Sequence, residues 1–113
     1  MKIQKFGVYL ADLSPQFGTE AGKTRPVVVV QTDMLNNEHP STIICPITTN
    51  VKKASSILRV HLLEKDCGLK RNSDVLVDQV RAIDNRRFTK ALGILSNRQQ
   101  EMLVNNLKIL LLE

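Results

Sequence analysis

The stretch Pro26-Val27-Val28-Val29-Val30-Gln31 is the part of the sequence that decides the fold. Four successive β-branched residues favour a strand rather than a helix. Because successive side chains of a strand point to opposite faces, this strand places apolar groups on both of them. We therefore expect a strand that is buried on both faces.

Further strands are predicted on both sides of this stretch, separated by turn signals. They cover residues 8–13, 42–48, 57–63, 74–83 and 88–95. The last two are predicted to pair as a hairpin across residues 84–87. Residues 33–38 are predicted to hold one helical turn.

Residues 57–63 alternate in polarity. Leu58, Val60 and Leu62 share one face of the predicted strand, and Arg59 and His61 share the other. We therefore interpret His61 as a solvated strand residue rather than a catalytic one.

In the C-terminal segment, the spacing of the apolar residues changes from that of a strand to that of a helix. Ser96 and Gln99 form a capping-box pattern, and Leu103, Leu107, Leu110 and Leu111 follow on one helical stripe. Strands followed by one helix predict a mainly β (α+β) fold, a small barrel or strongly curved antiparallel sheet with a C-terminal α-helix. At 113 residues, we expect one domain spanning 1–113.

The chain has a net charge of +5. This charge suits a polyanion such as nucleic acid, or an acidic protein partner, although many small soluble proteins are also basic. The longest apolar run, Val27 to Val30, is too short to span a bilayer. Residues 1–7 hold two lysines and no apolar block, so we expect no signal peptide, no membrane association and a cytoplasmic location.

The two cysteines follow neither a CxxC nor a zinc-finger spacing. Cys45 lies in an apolar run and is predicted to be a buried thiol, whereas Cys67 lies in a predicted turn. A disulfide between them is possible but not indicated. With only two histidines and no carboxylates at ligand spacing, we predict no metal site and no cofactor.

Two segments carry candidate chemistry. In residues 18–26, a glycine-containing loop delivers Arg25 at the start of the buried strand, and Pro26 stiffens that entry. Residues 47–50 place two hydroxyls and an amide where a strand leaves the sheet. Each segment has an ordinary explanation, a solvated arginine in the first case and a hydrogen-bonded turn in the second.

The order of several motifs resembles the MazF/PemK family of toxins. The N-terminal part of the resemblance is Val8-Tyr9-Leu10-Ala11-Asp12-Leu13-Ser14-Pro15 followed by Gly18-Thr19-Glu20, Gly22 and Arg25-Pro26-Val27. The remaining motifs are Pro46-Ile47-Thr48-Thr49, Cys67-Gly68-Leu69 with Ser73, and Asp78-Gln79-Val80-Arg81-Ala82-Ile83-Asp84 followed by Arg87. Together they run in order over nearly the whole chain.

This resemblance implies a metal-independent, sequence-specific endoribonuclease that cuts single-stranded RNA. The RNA's own 2′-hydroxyl would attack the adjacent phosphate, leaving 2′,3′-cyclic phosphate and 5′-hydroxyl ends. The family fold is an SH3-like or CcdB-like barrel with a C-terminal helix, and it works as a homodimer. A MazE-like antitoxin inhibits it by threading an acidic segment through the RNA channel.

The resemblance also assigns site residues. Arg25 would stabilise the phosphorane charge, Thr48 would hydrogen-bond the scissile phosphate, and Glu20 would act either as the base or as an orienting ion-pair partner of Arg25. RNA contacts are expected from residues in the loops and strand ends: Phe17, Thr19, Thr49, Asn50, Asp78 and Gln79.

Departures from the family pattern favour the MazF branch. The Kid/PemK branch has an arginine and a histidine where this chain has Leu76 and Thr19, so Asp78 is interpreted as an RNA contact or structural acid rather than the base. Two alternatives stay open: a non-catalytic CcdB-like gyrase-binding toxin, and an inactive SH3-like module that binds RNA or protein. CcdB-type relatives use a tryptophan in the C-terminal helix, and this chain has none.

Overall fold

The fold is known from a computed structural model, which describes residues 1–55 and 57–113. It has seven strands and one C-terminal helix, so the predicted fold class is confirmed. The strands are β1 Gly7–Asp12, β2 Thr24–Val29, β3 Ser41–Thr48, β4 Arg59–Leu62, β5 Ser73–Leu76, β6 Arg81–Asp84 and β7 Phe88–Ile94, and the helix α1 is Asn97–Leu112. Short 3₁₀ turns occupy Asp66–Gly68, Val77–Gln79 and Asn85–Arg87.

All the strand pairs are antiparallel, in the order β4-β5-β3-β2-β1-β7. Strand β3 is the longest, and it pairs with β2 along one edge. Its other edge is shared, because β6 pairs with its first half and β5 with its second half. The C-terminal end of β3 therefore lies between β2 and β5.

Strand β2 is buried on both faces, as its valines predict. Val28 packs in one core cluster with Cys45 and Leu103. Val27 and Val29 pack in a second cluster, on the other face, with Tyr9 and Ile44. Burial on both sides explains why no polar residue interrupts this run.

The predicted hairpin between residues 74–83 and 88–95 is wrong. The 3₁₀ turn Val77–Gln79 divides the first segment into β5 and β6, and β6 pairs with β3 while β7 pairs with β1. Burial explains the division, because Val75 enters the first core cluster and Ile83 enters the second. Phe88 meets Tyr9 of β1 edge-on, with ring centroids 5.5 Å apart, which favours the pairing of β7 with β1.

Helix α1 begins as predicted. The Ser96 hydroxyl oxygen accepts a hydrogen bond from the Gln99 backbone amide, and the Gln99 side-chain oxygen accepts one from the Ser96 backbone amide, so the capping box is confirmed. Leu103 is buried and Leu107 and Leu110 pack against the core. Leu111 is 61% exposed, so its place on the buried stripe is wrong. It lies about 80° around the helix from Leu103, at the edge of the buried face.

Residues 33–38 form hydrogen-bonded turns without a continuous helix. The amides of Asn36 and His39 bind the carbonyls of Thr32 and Leu35, each with the i+4 spacing of the single helical turn that is predicted here. Cys45 is buried as predicted, and both cysteines are free thiols. Among residues 1–55 and 57–113, no helix is long and apolar enough to cross a membrane.

Candidate active site

Arg25 and Thr48 lie at the same end of two neighbouring strands. Val27 of β2 pairs with Pro46 of β3, and the same register carried two residues further places Arg25 opposite Thr48. By strand alternation, Arg25 shares the face of Val27, and Thr48 shares the face of Ile44. Both of those residues belong to the second core cluster. The structure thus brings the two predicted catalytic residues to one face of the sheet.

The Arg25 side chain is held in place by the loop that precedes it. Its Nε donates a hydrogen bond to the Gly22 carbonyl at 2.8 Å. The two Nη groups keep their donors for an anion. Gly22 is needed here, because a Cβ at that position would lie 2.4 Å from the Cβ of Gln16.

Gln79 clamps this loop from the other side of the site. Its Oε1 accepts a hydrogen bond from the Ala21 amide at 2.8 Å, and its Nε2 donates to the Thr19 carbonyl at 3.0 Å. Both polar ends of the Gln79 amide therefore bind the backbone of the loop. This role is not visible in the sequence, because Gln79 lies 58 residues from Ala21 along the chain.

Phe17 and Glu20 are exposed on the same loop. The Phe17 side chain is 69% exposed, as a ring that stacks on a base must be. The ion pairs within the described residues do not include one between Glu20 and Arg25. The orienting salt bridge considered for Glu20 is therefore not formed in this structure.

The chain turns sharply after Thr48. The Thr48 Oγ1 accepts a hydrogen bond from the Asn50 amide at 3.1 Å, so the hydroxyl proton remains available to a phosphate oxygen. The Asn50 carbonyl accepts a hydrogen bond from Arg59 at 2.8 Å. The turn interpretation of this segment is thus correct, and it leaves the hydroxyl of Thr48 able to donate.

A cavity of about 280 Å³ lies near this end of β2 and β3 but on the other face of the sheet, because Pro26 alternates with Arg25 along β2. Pro26 and Thr49, the sequence neighbours of Arg25 and Thr48, both line it. Lys70, Arg71 and Lys90 line it as well and make its wall basic. The sequence alone does not place Lys90 here, because this residue lies on β7 and reaches the cavity only through the pairing of β7 with β1.

His61 is not the solvated residue that the sequence predicts. Its Nδ1 lies 2.6 Å from Asp74 Oδ1, and its Nε2 lies 2.8 Å from the Ser55 carbonyl oxygen. Alternation placed His61 on the polar face correctly, but it could not show that Asp74 of β5 stands opposite it.

Two groups near the site have shifted pKa values. Burial, with a smaller contribution from the charge of Asp78, raises the pKa of Cys45 to about 12. Burial alone would raise the pKa of Asp74, but hydrogen bonds from the Lys52 amide, Arg59 and His61 hold it below its ordinary value. Asp74 is therefore ionised at neutral pH, and Cys45 is a neutral thiol.

No group of three or more His, Cys, Asp or Glu side chains in the described part of the chain is arranged to hold a metal ion.

The sequence matches, over residues 4–111, the family described as PemK-like, MazF-like toxin of type II toxin–antitoxin system. It is 36% identical over 109 residues to Endoribonuclease EndoA of Bacillus subtilis (strain 168), covering 96% of this chain and 94% of that protein. The fold is similar to the crystal structure of MazF (Form-I) from Deinococcus radiodurans, with a TM-score of 0.82, 24% identity and coverage of 98% and 97% of the two chains. It is also similar to a MazE-MazF (Form-II) structure from Deinococcus radiodurans, with a TM-score of 0.76, 24% identity and coverage of 98% and 96%. The chain therefore belongs to the PemK-like, MazF-like family of type II toxins.

Proposed function

We propose that this protein is an endoribonuclease toxin that cuts single-stranded RNA with Arg25, Thr48 and Glu20. The observation that carries the proposal is the placement of Arg25 and Thr48 on one face at the ends of β2 and β3, with the Arg25 Nη groups and the Thr48 hydroxyl able to donate. An arginine fork and a hydroxyl at such a site can bind the oxygens of one phosphate. The name of the Bacillus subtilis relative supports the same activity.

In the proposed reaction, the 2′-oxygen of the RNA forms a bond to the adjacent phosphorus. Glu20, exposed on its loop, accepts the proton that the 2′-hydroxyl loses. The bond between phosphorus and the 5′-oxygen breaks, and the leaving oxygen takes a proton from water or a nearby acid. Arg25 and Thr48 stabilise the negative charge that builds on the phosphorane oxygens.

RNA binding is assigned to residues of the loops and strand ends around Arg25 and Thr48. Phe17 stacks on a base, and Thr19, Thr49 and Asn50 contact base edges or phosphates. Asp78 contributes a further RNA contact. Gln79 contributes to RNA binding through the loop that it holds.

The products identify this chemistry. Because the nucleophile belongs to the RNA, we expect cleavage in EDTA and products with 2′,3′-cyclic phosphate and 5′-hydroxyl ends. The test is to incubate the purified protein with a long RNA in EDTA and to map the new ends. Cleavage that needs added Mg²⁺, or 5′-phosphate ends, would refute the proposed mechanism, and no cleavage under any condition would favour a binding-only toxin or module.

Substitution of Arg25 tests the assigned site. Removing one donor to a developing oxyanion costs roughly a hundredfold or more in rate. We expect this loss for Arg25→Ala and for Thr48→Ala, with both variants folded because neither side chain is in the core. Arg25→Lys restores activity only in part, because lysine keeps the charge but lacks the planar fork. Arg98→Ala, an exposed arginine on α1, is the matched control, and near-normal cleavage by folded Arg25→Ala would overturn the assignment.

The proposed toxin also has protein partners. Family membership and the likeness to a MazE-MazF structure support a MazE-like antitoxin, and we propose that it places an acidic segment in the RNA channel. Leu111 and Leu112, 61% and 79% exposed at the end of α1, support a homodimer. Because the proposed substrate is RNA, we propose that the protein acts in the cytoplasm. Light scattering at micromolar concentration tests the homodimer.

A further inference from the structure

Asp74 lies in a row of residues that crosses three strands. It stands opposite Thr48 of β3 on one side and opposite His61 of β4 on the other. Directly opposite residues of antiparallel strands present their side chains to the same face. The row therefore connects His61, through Asp74, to the strand end that carries Thr48.

The same cluster holds the loop that follows Thr48. The Asp74 carboxylate accepts a hydrogen bond from the Lys52 amide at 2.9 Å, and its side chain is 0% exposed. Arg59 binds both Asp74 and the Asn50 carbonyl, each at 2.8 Å. His61 reaches the Ser55 carbonyl at 2.8 Å. Three points of the loop are thus bound to one group of side chains.

Both ring nitrogens of His61 face hydrogen-bond acceptors. A neutral imidazole has only one N–H, so only the doubly protonated ring can donate both to Asp74 and to Ser55. When the ring is neutral, its single N–H stays with the carboxylate, because a charge-assisted hydrogen bond is the stronger one. The Ser55 carbonyl then loses its donor.

The groups that face His61 from the surrounding elements do not replace this donor. Asp74 on β5 and Arg59 on β4 bind each other at 2.8 Å. The cleft beside the ring is also lined by Asp66, Cys67 and Arg98. Burial, and secondarily the charge of Asp66, raises the pKa of Cys67 to about 11, so it remains a neutral thiol over the range in which a histidine titrates.

We infer that His61 is a positioning residue whose protonated ring holds the loop of residues 49–55 in the arrangement that binds RNA. Arg59 and Asp74 complete the cluster, and loss of the His61 proton releases the loop at Ser55. The inference rests on the proposed function for its effect on cleavage, but its effect on the loop is independent of any activity.

NMR of the full chain tests the effect on the loop. The two histidines give two ring titrations, and exposed His39 is the internal reference. Amide exchange at Lys52 is measured across the His61 titration, relative to the amide of buried Val60, which experiences the same change of pH. Loss of one charge-assisted hydrogen bond should raise this ratio roughly tenfold. The inference would be overturned by a ratio that does not change with pH, or by one that changes with the protonation of His39 instead of His61.

Cleavage kinetics test the consequence for RNA. The measured quantity is kcat/KM of the wild type divided by that of His61→Gln at each pH, which removes the intrinsic pH dependence of the reaction. We expect a ratio of roughly ten at pH values where His61 is protonated, and a ratio that falls toward one at pH values where it is neutral. His39→Gln is the matched control, with a ratio near one throughout. A constant His61→Gln ratio would overturn the inference.

The failures of the two proposals are distinguishable. If the wild type cleaves no RNA at any pH, the proposed function fails and the exchange of Lys52 alone decides the role of His61. If His61→Gln does not fold, the wild-type exchange measurement still decides it.

Discussion

Replacing Gln79 with methionine should loosen the loop that carries Glu20. Methionine has nearly the same length as glutamine but makes neither of the hydrogen bonds to Ala21 and Thr19. The exposed Thr19 carbonyl can bind water instead, whereas the Ala21 amide belongs to a residue only 8% exposed. Leaving such a donor unpaired costs about 1–3 kcal/mol. This corresponds to roughly a fivefold to hundredfold shift between the held and released loop.

The assay is kcat/KM on a set of RNA oligonucleotides that carry each base on either side of the cleaved bond. Because the clamp acts through the loop backbone, we expect Gln79→Met to reduce cleavage of every oligonucleotide by a similar factor. Gln4→Met, an exposed glutamine outside the site, is the control. If some oligonucleotides were cleaved at the wild-type rate and others were not, Gln79 would be reading a base, and the reasoning from its two hydrogen bonds would be refuted.

Three further predictions concern stability and reactivity. Leu103→Ala, at a side chain with 0% exposure, should lower the free energy of unfolding by about 2–5 kcal/mol in urea titrations. Cys45 and Cys67, with pKa values raised by burial to about 12 and about 11, should react slowly with a thiol reagent at pH 8 until the chain is unfolded. Asp74, whose pKa is lowered in the fold, stabilises the fold fully above its unfolded pKa of about 3.9 and less as the pH falls through the folded value. The wild type should therefore lose stability in acid more steeply than Asp74→Asn; equal slopes would contradict this.

The sequence predicted the elements better than their pairing. Four valines were sufficient to predict a strand buried on both faces, and Ser96 with Gln99 was sufficient to predict the start of the helix. The hairpin was wrong because a short turn signal at residues 84–87 says nothing about which distant strand offers the larger buried surface. Strand pairing depends on tertiary packing, which local sequence patterns do not predict.

The same distinction applies to the site. Arg25 and Thr48 were found from motifs because each lies in a short characteristic segment. Lys90, and the roles of Gln79 and His61, depend on contacts between residues far apart in the chain. Polar side chains at such positions resemble solvated surface residues until their partners are known.

The topology explains why these partners collect around Thr48. Because β3 shares one edge between β5 and β6, its C-terminal end receives side chains from β2 on one side and from β5 on the other. The buried carboxylate of Asp74 would repel a phosphate bound at Thr48 if it stood alone, and Arg59 and His61 reduce that repulsion by pairing with it. With His61 protonated the three side chains carry a net positive charge, and with His61 neutral they carry none. Holding the loop and favouring an anion beside it therefore both depend on the same proton, which is why the effect of pH on the His61→Gln ratio is the decisive measurement.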